Sequence, residues 1–177
     1  MVPLKFGVLK LQTKWPKYII LHHTAELPIN QAGLKFDDQK FQLGKLELLN
    51  YSMTQDPNLK YHFVIDRVGS DFYPIVSRPL FTDPGWEDIL PQYQRSIHIG
   101  IVGDYDHDIP MTRMYSILSY RLLFPLMRMF SIPDENVLLH KVVSEIPDLV
   151  CPGELFDMHK LRSIMRSYRR KSVLARG

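Results

Sequence analysis

Three places in the chain carry side chains that could form a zinc site. A His22-His23-Thr24 cluster closes an apolar, strand-like run, His140 lies far downstream, and Cys151, the only cysteine, opens a Cys-Pro-Gly turn. Imidazole nitrogen and thiolate sulfur are ligands that Zn²⁺ favours, and three protein ligands that leave a fourth position to water are typical of a hydrolytic centre. These residues therefore predict a metal site with hydrolytic chemistry.

The segments that must position these residues alternate between strand-like and helix-like patterns, which predicts a single α/β domain. Short apolar runs predict strands at 18–22, 61–66, 71–76, 96–102 and 136–140. Helical spacing of apolar residues predicts helices at 37–53, 108–130 and 155–168. Two strand ends and one loop then supply the candidate ligands, because rigid strands fix the imidazoles and the loop brings the thiolate.

One apolar stripe runs along the second helical segment. Its members are Met114, Ile117, Leu118, Leu122, Leu126 and Met129. We interpret this stripe as core packing. Pro125 lies inside the segment, and proline removes a backbone donor and obstructs the preceding turn, so we expect a kink there.

Size and composition indicate an ordinary globular domain. The chain has 177 residues, of which 45% are hydrophobic and 23% are charged, and these values argue against disorder. No stretch approaches the ~20 apolar residues that span a bilayer, so we expect no membrane span. We expect one domain over residues 1–177, with an N-terminal extension at 1–16 and a basic tail at 170–177, and a monomeric protein.

Four segments of the chain carry motifs in a defined order. They are KYIILHHT at 17–24, YHFVIDRVGS at 61–70, SIHIGIVGD at 96–104, and His140-Lys141 followed by Cys151-Pro152-Gly153. In this order they resemble the zinc-dependent N-acetylmuramoyl-L-alanine amidases, the family that includes phage-type amidase lysozymes and peptidoglycan recognition proteins. The resemblance covers roughly residues 17–165. Val68 stands where an aspartate is commoner, and His98 replaces a glycine.

The resemblance implies a central mixed β-sheet of about five or six strands covered by helices, with Zn²⁺ as cofactor. It implies that His22, His140 and Cys151 are the zinc ligands. Because side chains alternate along a strand, His23 would point into the other layer or stand behind the ligands, where it is a candidate substrate-binding residue. The implied reaction is hydrolysis of the amide between N-acetylmuramic acid and L-alanine in peptidoglycan or muropeptides, with Tyr61 as a catalytic group beside the metal.

The chain departs from the family two positions before the cysteine. Phage-type amidases have a lysine there and recognition proteins a threonine, whereas this chain has Leu149, which cannot donate a proton or a hydrogen bond. Asp148 is our first candidate for the missing catalytic role, because it lies nearer to Cys151 in sequence than the other two polar residues that we consider. Glu145 and Lys141 are the alternatives.

Aromatic and histidine residues are candidates for the substrate groove. In the family, the segment that corresponds to 78–94 borders the groove, and here it contains Trp86 and Tyr93. Their rings could pack against a sugar or a stem peptide, or they could anchor a long loop. His98 could line the cleft or be a satisfied core histidine. Tyr61 could likewise be a strand residue with its hydroxyl at the rim.

Other functions fit parts of the sequence. Leu149 would suit a module of the same fold that binds muropeptides without cutting them. The net charge is +3, and the basic segment 160–176 would suit a regulatory or nucleic-acid partner, or attraction to an anionic wall or membrane surface. It carries no base-reading motif and could be a solvated helix face. A structural zinc site would need a fourth ligand, for which the candidates are His23, His62 and Asp148.

We expect peptidoglycan or muropeptide as the partner and no specific nucleic acid. Residues 1–13 contain two lysines and no long apolar block, so they do not resemble a signal peptide. One cysteine excludes an intramolecular disulfide. We expect a cytoplasmic protein or one released during phage lysis, and a periplasmic or extracellular protein if a leader has been removed.

Overall fold

The computed structural model describes residues 15–24, 61–68, 71–77, 79–83 and 85–174. The predicted helix at 37–53 lies outside the described residues, as does most of the expected N-terminal extension. The side chains of Val68 and of the expected basic tail at 170–177 also lie outside them.

Five strands in these ranges form one mixed sheet. They are β1 (Tyr18–His23), β2 (Phe63–Val68), β3 (Asp71–Val76), β4 (Ser96–Ile101) and β5 (Val137–Leu139). Their order across the sheet is β3-β2-β4-β1-β5, in which β2 and β3 form an antiparallel hairpin and the other neighbours are parallel. The predicted α/β class with a mixed central sheet is confirmed.

The strands β1 and β4 lie at the centre because their sequences are apolar on both faces. Ile19, Ile20 and Leu21 have no exposed surface, and β4 is buried along its length. Such runs are typical of parallel strands that are covered on both sides. Ile19 and Leu21 join the main core, whereas Ile20 packs with Val143 on the opposite face. His22 lies two residues beyond Ile20 and therefore shares this second face.

Helices cover the sheet. They are α1 (Thr112–Ile117), a π-helical segment (Leu118–Leu123), α2 (Phe124–Phe130), α3 (His140–Val143) and α4 (Met158–Leu174), with 3₁₀ turns at Pro91–Tyr93 and Asp134–Asn136. The first three form a continuous run, and α4 packs against it. Within the described ranges, no helix combines the length and apolar character needed to cross a membrane.

The helix is disturbed just before Pro125, where we expected a kink. The N–H of Phe124 donates to the carbonyl of Ser119, five residues back, and Pro125 has no N–H to continue the ordinary ladder. The extra residue in this turn rotates the following helix by about 100°. Met129, predicted to belong to the core stripe, is consequently 63% exposed, while Met127 is buried. The prediction for Met129 was wrong for this reason.

Candidate metal centre

The topology brings the three predicted ligands to one edge of the sheet. His22 lies near the carboxyl end of β1, and His140 directly follows β5, the parallel neighbour of β1. Because the carboxyl ends of parallel strands meet at one edge, the two imidazoles are adjacent, with ring centroids 4.4 Å apart. Cys151 comes from the loop after α3, and its carbonyl accepts a hydrogen bond of 2.9 Å from the N–H of Lys141.

The three side chains fit a metal of zinc chemistry. Their ligand atoms all lie within 4.8 Å of one another, and Nδ1 of His22 is 4.0 Å from Sγ of Cys151. Tetrahedral zinc with ordinary bond lengths would require about 3.6 Å between a nitrogen and a sulfur ligand, so a small movement would suffice. Two imidazoles and one thiolate form a donor set that suits zinc.

The carboxylate of Asp88 holds the distal nitrogen of His140. Its Oδ2 accepts hydrogen bonds of 2.7 Å from Nε2 of His140 and 2.7 Å from Oγ of Ser144. Nδ1 is therefore the His140 nitrogen that would face a metal, in the tautomer that such a carboxylate stabilises. Partial burial would raise the pKa of Asp88, but the Ser144 hydrogen bond and the adjacent His140 outweigh it and lower the pKa.

The imidazole of His98 holds the distal nitrogen of His22. The parallel register places Ile20 opposite His98 and His22 opposite Gly100, so His98 shares the face of His22. Nδ1 of His98 lies 2.9 Å from Nε2 of His22. His98 is only 1% exposed, which leaves little surface for direct contact with a substrate and agrees with the alternative of a satisfied core histidine.

Burial sets the protonation of two candidate ligands. Burial, reinforced by the nearby His98 and His140, holds the pKa of His22 well below its usual value, so the imidazole is neutral as a ligand must be. Burial also raises the pKa of the Cys151 thiol to about 11, although a hydrogen bond from the His23 backbone opposes this shift. The thiol must therefore lose a proton when a metal binds.

The ring of Tyr61 lies over Gly100, beside the candidate ligands. Its centroid is 5.4 Å from that of His22. A Cβ at position 100 would lie 2.9 Å from Cγ and Cδ2 of Tyr61, so the absence of a side chain on Gly100 makes room for the ring. The phenol hydroxyl donates a long hydrogen bond of 3.5 Å to the carbonyl of His23. Tyr61 thus adjoins the centre, and its catalytic role stays a prediction.

The indole of Trp86 covers the histidine cluster. It stacks on His22 at a centroid distance of 4.3 Å and an interplanar angle of 16°. Its centroid is 4.9 Å from His140, 5.6 Å from His98 and 5.8 Å from Tyr61. Trp86 is half-buried and also packs on the apolar patch of β1. It therefore anchors its loop and borders the centre at the same time.

Two other predicted site residues lie outside this cluster. Tyr93 packs edge-on against Tyr18, 5.0 Å away, and the strand rise places Tyr18 about 13 Å from His22 along β1. This contact favours the interpretation of Tyr93 as a loop anchor. Asp148 is exposed, has a left-handed φ of 57°, and is not among the side chains that group within 4.8 Å. Its catalytic role stays a prediction.

The side chain of His23 belongs to a different group from that of His22, as alternation along β1 predicts. Nδ1 of His23 accepts a hydrogen bond of 3.3 Å from the N–H of Tyr105. The ring lies near Asp104 and Asp106, with which it shares a second cluster of potential ligand atoms. Burial lowers the pKa of His23, and the two carboxylates oppose this shift. A role of His23 in substrate binding stays a prediction.

The buried His62 uses both ring nitrogens within the protein. Nδ1 accepts a hydrogen bond of 3.0 Å from the N–H of His98, and Nε2 lies 3.1 Å from the carbonyl of Thr82. The first contact requires a bare Nδ1, so the proton is on Nε2 and is donated to Thr82. This engagement argues against His62 as the fourth ligand of a structural zinc site.

Asp88 is the site residue that sequence reasoning missed. The segment 78–94 draws attention through its aromatic residues, yet it also contains Asp83, Glu87 and Asp88. Chemistry could have pointed to an acidic residue here, because a metal-binding histidine needs an acceptor for its distal nitrogen. The sequence does not tell which of the three acidic residues the fold delivers to His140.

No sequence-family profile and no curated protein matches the chain at a significant level. Solved structures do match it. The Ph2119 endolysin from Thermus scotoductus MAT2119 bacteriophage Ph2119 is 21% identical, with a TM-score of 0.59 over 91% of this chain and 92% of that one. Drosophila peptidoglycan recognition protein SD is 18% identical, with a TM-score of 0.59 over 85% and 82%.

A third similar structure is the N-acetylmuramoyl-L-alanine amidase LysC from Clostridium intestinale URNW. It is 19% identical, with a TM-score of 0.56 over 89% of this chain and 93% of that one. At such identities the likeness concerns the arrangement of the backbone. The chain therefore has the fold shared by this phage endolysin, this N-acetylmuramoyl-L-alanine amidase and the peptidoglycan recognition protein, as its four motifs predicted.

Proposed function

We propose that this protein is a zinc-dependent amidase that hydrolyses the bond between N-acetylmuramic acid and L-alanine in peptidoglycan or in muropeptides derived from it. The observation that carries the proposal is the convergence of His22, His140 and Cys151 at the carboxyl edge of the sheet. The fold supports it, because two of the three similar structures described above are a phage endolysin and an amidase.

Zinc held by these ligands would polarise the scissile carbonyl and acidify a water molecule. The protein's own part is to prepare the ligands. Asp88 and His98 occupy the distal nitrogens of the two imidazoles, which leaves each Nδ1 for the metal. Burial keeps His22 neutral before the metal arrives.

Tyr61 is the described polar side chain best placed to assist the reaction. Its ring adjoins His22, and its hydroxyl could donate a hydrogen bond to the oxygen on which negative charge develops. Trp86 offers an aromatic face over the ligands, suitable for a sugar ring or the lactyl-peptide. Asp148, on the exposed loop before Cys151, is our candidate for a second polar group.

The test is turnover of a defined muropeptide by protein of known zinc content. Mass spectrometry should detect a newly free L-alanine amine with the zinc-loaded protein and none after chelation. Tyr61→Phe should keep zinc and slow turnover about 10²–10³-fold, the usual effect of losing one such donor. Tyr73→Phe, on the exposed edge strand β3, is the matched control and should retain full activity. Zinc-loaded protein that releases no amine would refute the proposal.

A second candidate is a muropeptide-binding module without catalysis. It is favoured by Leu149, which removes a polar group expected beside the cysteine, and by the exposure of Asp148. Stoichiometric binding of the muropeptide by zinc-loaded protein, with no free amine after prolonged incubation, would assign the protein to this class.

A further inference from the structure

We propose that His98 is a positioning residue of the metal centre, which fixes His22 in the tautomer whose Nδ1 can bind the metal. The inference rests on the zinc site of the proposed function and deepens it. It concerns a residue particular to this chain, because the corresponding motif position in the resembled family carries a glycine.

The rings of His22 and His98 are in direct contact through one nitrogen each. Nε2 of His22 and Nδ1 of His98 are 2.9 Å apart, and their side chains are 0% and 1% exposed. Two ring nitrogens at this distance must share one proton, because two bare nitrogens would repel and two N–H groups would clash. A buried nitrogen without that partner would also remain unsatisfied. The pair therefore has one donor and one acceptor.

Which of the two rings donates the proton decides whether His22 can bind a metal. If His98 donated, a neutral His22 would carry its proton on Nδ1, the nitrogen 4.0 Å from Sγ of Cys151, and could not ligate there. If His22 donates from Nε2, its Nδ1 keeps a lone pair for the metal. Acceptance by His98 thus selects the tautomer that ligation requires, as Asp88 does for His140.

Contacts with His62 and Trp86 hold His98 rigidly in place. Its N–H donates to Nδ1 of His62 at 3.0 Å, and its carbonyl accepts a hydrogen bond of 2.8 Å from the N–H of His62. The ring of Trp86 lies nearly parallel to that of His98, at 15°. His98 lies on a central strand, its backbone is held by hydrogen bonds, and an indole covers its ring. Such a side chain can hold its acceptor nitrogen in a fixed direction.

The two distal partners differ in charge. His140 is backed by a carboxylate, whereas His22 is backed by a second imidazole. A neutral acceptor orients His22 without adding negative charge to a centre that already contains a thiolate when loaded. His140 is therefore positioned by a charged residue and His22 by a neutral one.

The experiment compares His98→Asn with His98→Leu. The two substitutions have nearly the same shape, but only asparagine places an acceptor at the δ position, where it can receive the His22 proton. Zinc affinity is measured by competition with a chelator, and the geometry of the centre by the absorption spectrum of the Co²⁺-loaded protein. The melting temperature of each zinc-free variant reports folding.

We expect His98→Leu to weaken zinc binding about 10–100-fold and His98→Asn to stay within about threefold of the wild type. The Co²⁺ spectrum should change with leucine and be restored by asparagine. Equal zinc affinities in both variants, whether high or low, would overturn the inference. If the leucine variant does not fold, His98→Val, which suits a strand better, replaces it under the same criteria.

These outcomes are separate from those of the proposed function. A wild type that binds zinc tightly but releases no L-alanine amine would refute the amidase and leave the His98 comparison intact. Conversely, an active wild type whose zinc affinity is indifferent to the acceptor at position 98 would refute only the positioning role.

Discussion

Oδ2 of Asp88 lies 2.7 Å from Nε2 of His140, although the two residues are 52 positions apart in sequence. The loop that carries Asp88 is tied to the segment after β5 by further contacts. The carbonyl of Asp88 accepts a hydrogen bond of 2.7 Å from the N–H of Glu145, and a β-bridge joins Ile89 to Ser144. The loop and His140 are thus held as one unit.

Asp88→Asn should weaken zinc binding about 10–100-fold, because the amide is a poorer acceptor for His140 and no longer stabilises the ligating tautomer. Zinc affinity by chelator competition measures the effect. Glu87→Gln is the matched control, since it removes the same charge from the exposed neighbouring residue and should leave the affinity unchanged. Equal losses in the two variants would show that only local charge matters.

Cys151→Ser should abolish the stabilisation of the protein by zinc. A ligand at about 100 times its dissociation constant adds about 2.7 kcal/mol, or about 5–10 °C in melting temperature for a domain of this size. The wild type should show this shift on adding zinc and lose it with a chelator. The serine variant should melt at the same temperature with and without zinc; a full shift in the variant would exclude the thiol as a ligand.

Gly100→Ala should destabilise the protein by about 1–3 kcal/mol, because the new Cβ meets the ring of Tyr61. The backbone of Gly100 is not in the left-handed region, so the cost comes from this contact. Combining it with Tyr61→Ala should remove most of the penalty, since the obstacle is then absent. Urea unfolding of the two single variants and the double variant measures the coupling, and additive changes would contradict the proposed contact.

The zinc-free protein should lose stability as the pH falls below about 6.5. Burial holds the pKa of His22 well below the usual histidine value of about 6.5, so the unfolded chain takes up a proton that the folded chain refuses. Each such histidine changes the unfolding equilibrium constant by up to about tenfold per pH unit until the folded pKa is reached. His23 contributes in the same direction.

Urea unfolding of chelated protein between about pH 7 and pH 5.5 tests this expectation, in a range where most carboxylates remain ionised. His159→Gln is the matched control, because it removes an exposed imidazole and not a buried one. Stability that stays constant over this interval would contradict a buried, neutral His22.

The sequence was sufficient for the strands of the sheet and, through its motifs, for the set of candidate ligands. The apolar runs of β1 and β4 predicted burial on both faces. The resemblance of the four motifs implied that His22, His140 and Cys151 group together. The order of the strands, which makes β1 and β5 parallel neighbours and brings His22 and His140 to one edge, is a property of the whole fold and not of local periodicity.

The contacts between side chains of distant segments could not be read in this way. Asp83, Glu87 and Asp88 are acidic residues of the same loop, so the sequence pattern does not distinguish them. Only the packing of this loop decides which one reaches His140. Met129 was misplaced because the π-helical segment before Pro125 changes the helical phase. Trp86 and Tyr93 are both aromatic, so their residue types did not show which one lies at the metal centre. Trp86 covers His22, whereas Tyr93 packs on Tyr18.

The stacking of Trp86 on His22 also gives the protein an optical reporter of its own centre. The chain contains two tryptophans, and the other, Trp15, is 63% exposed and packs with Phe81 and Phe130. A Trp15→Phe background would leave a single indole emitter, in contact with a candidate ligand. A molecule that rests on that ring or displaces it would change its fluorescence.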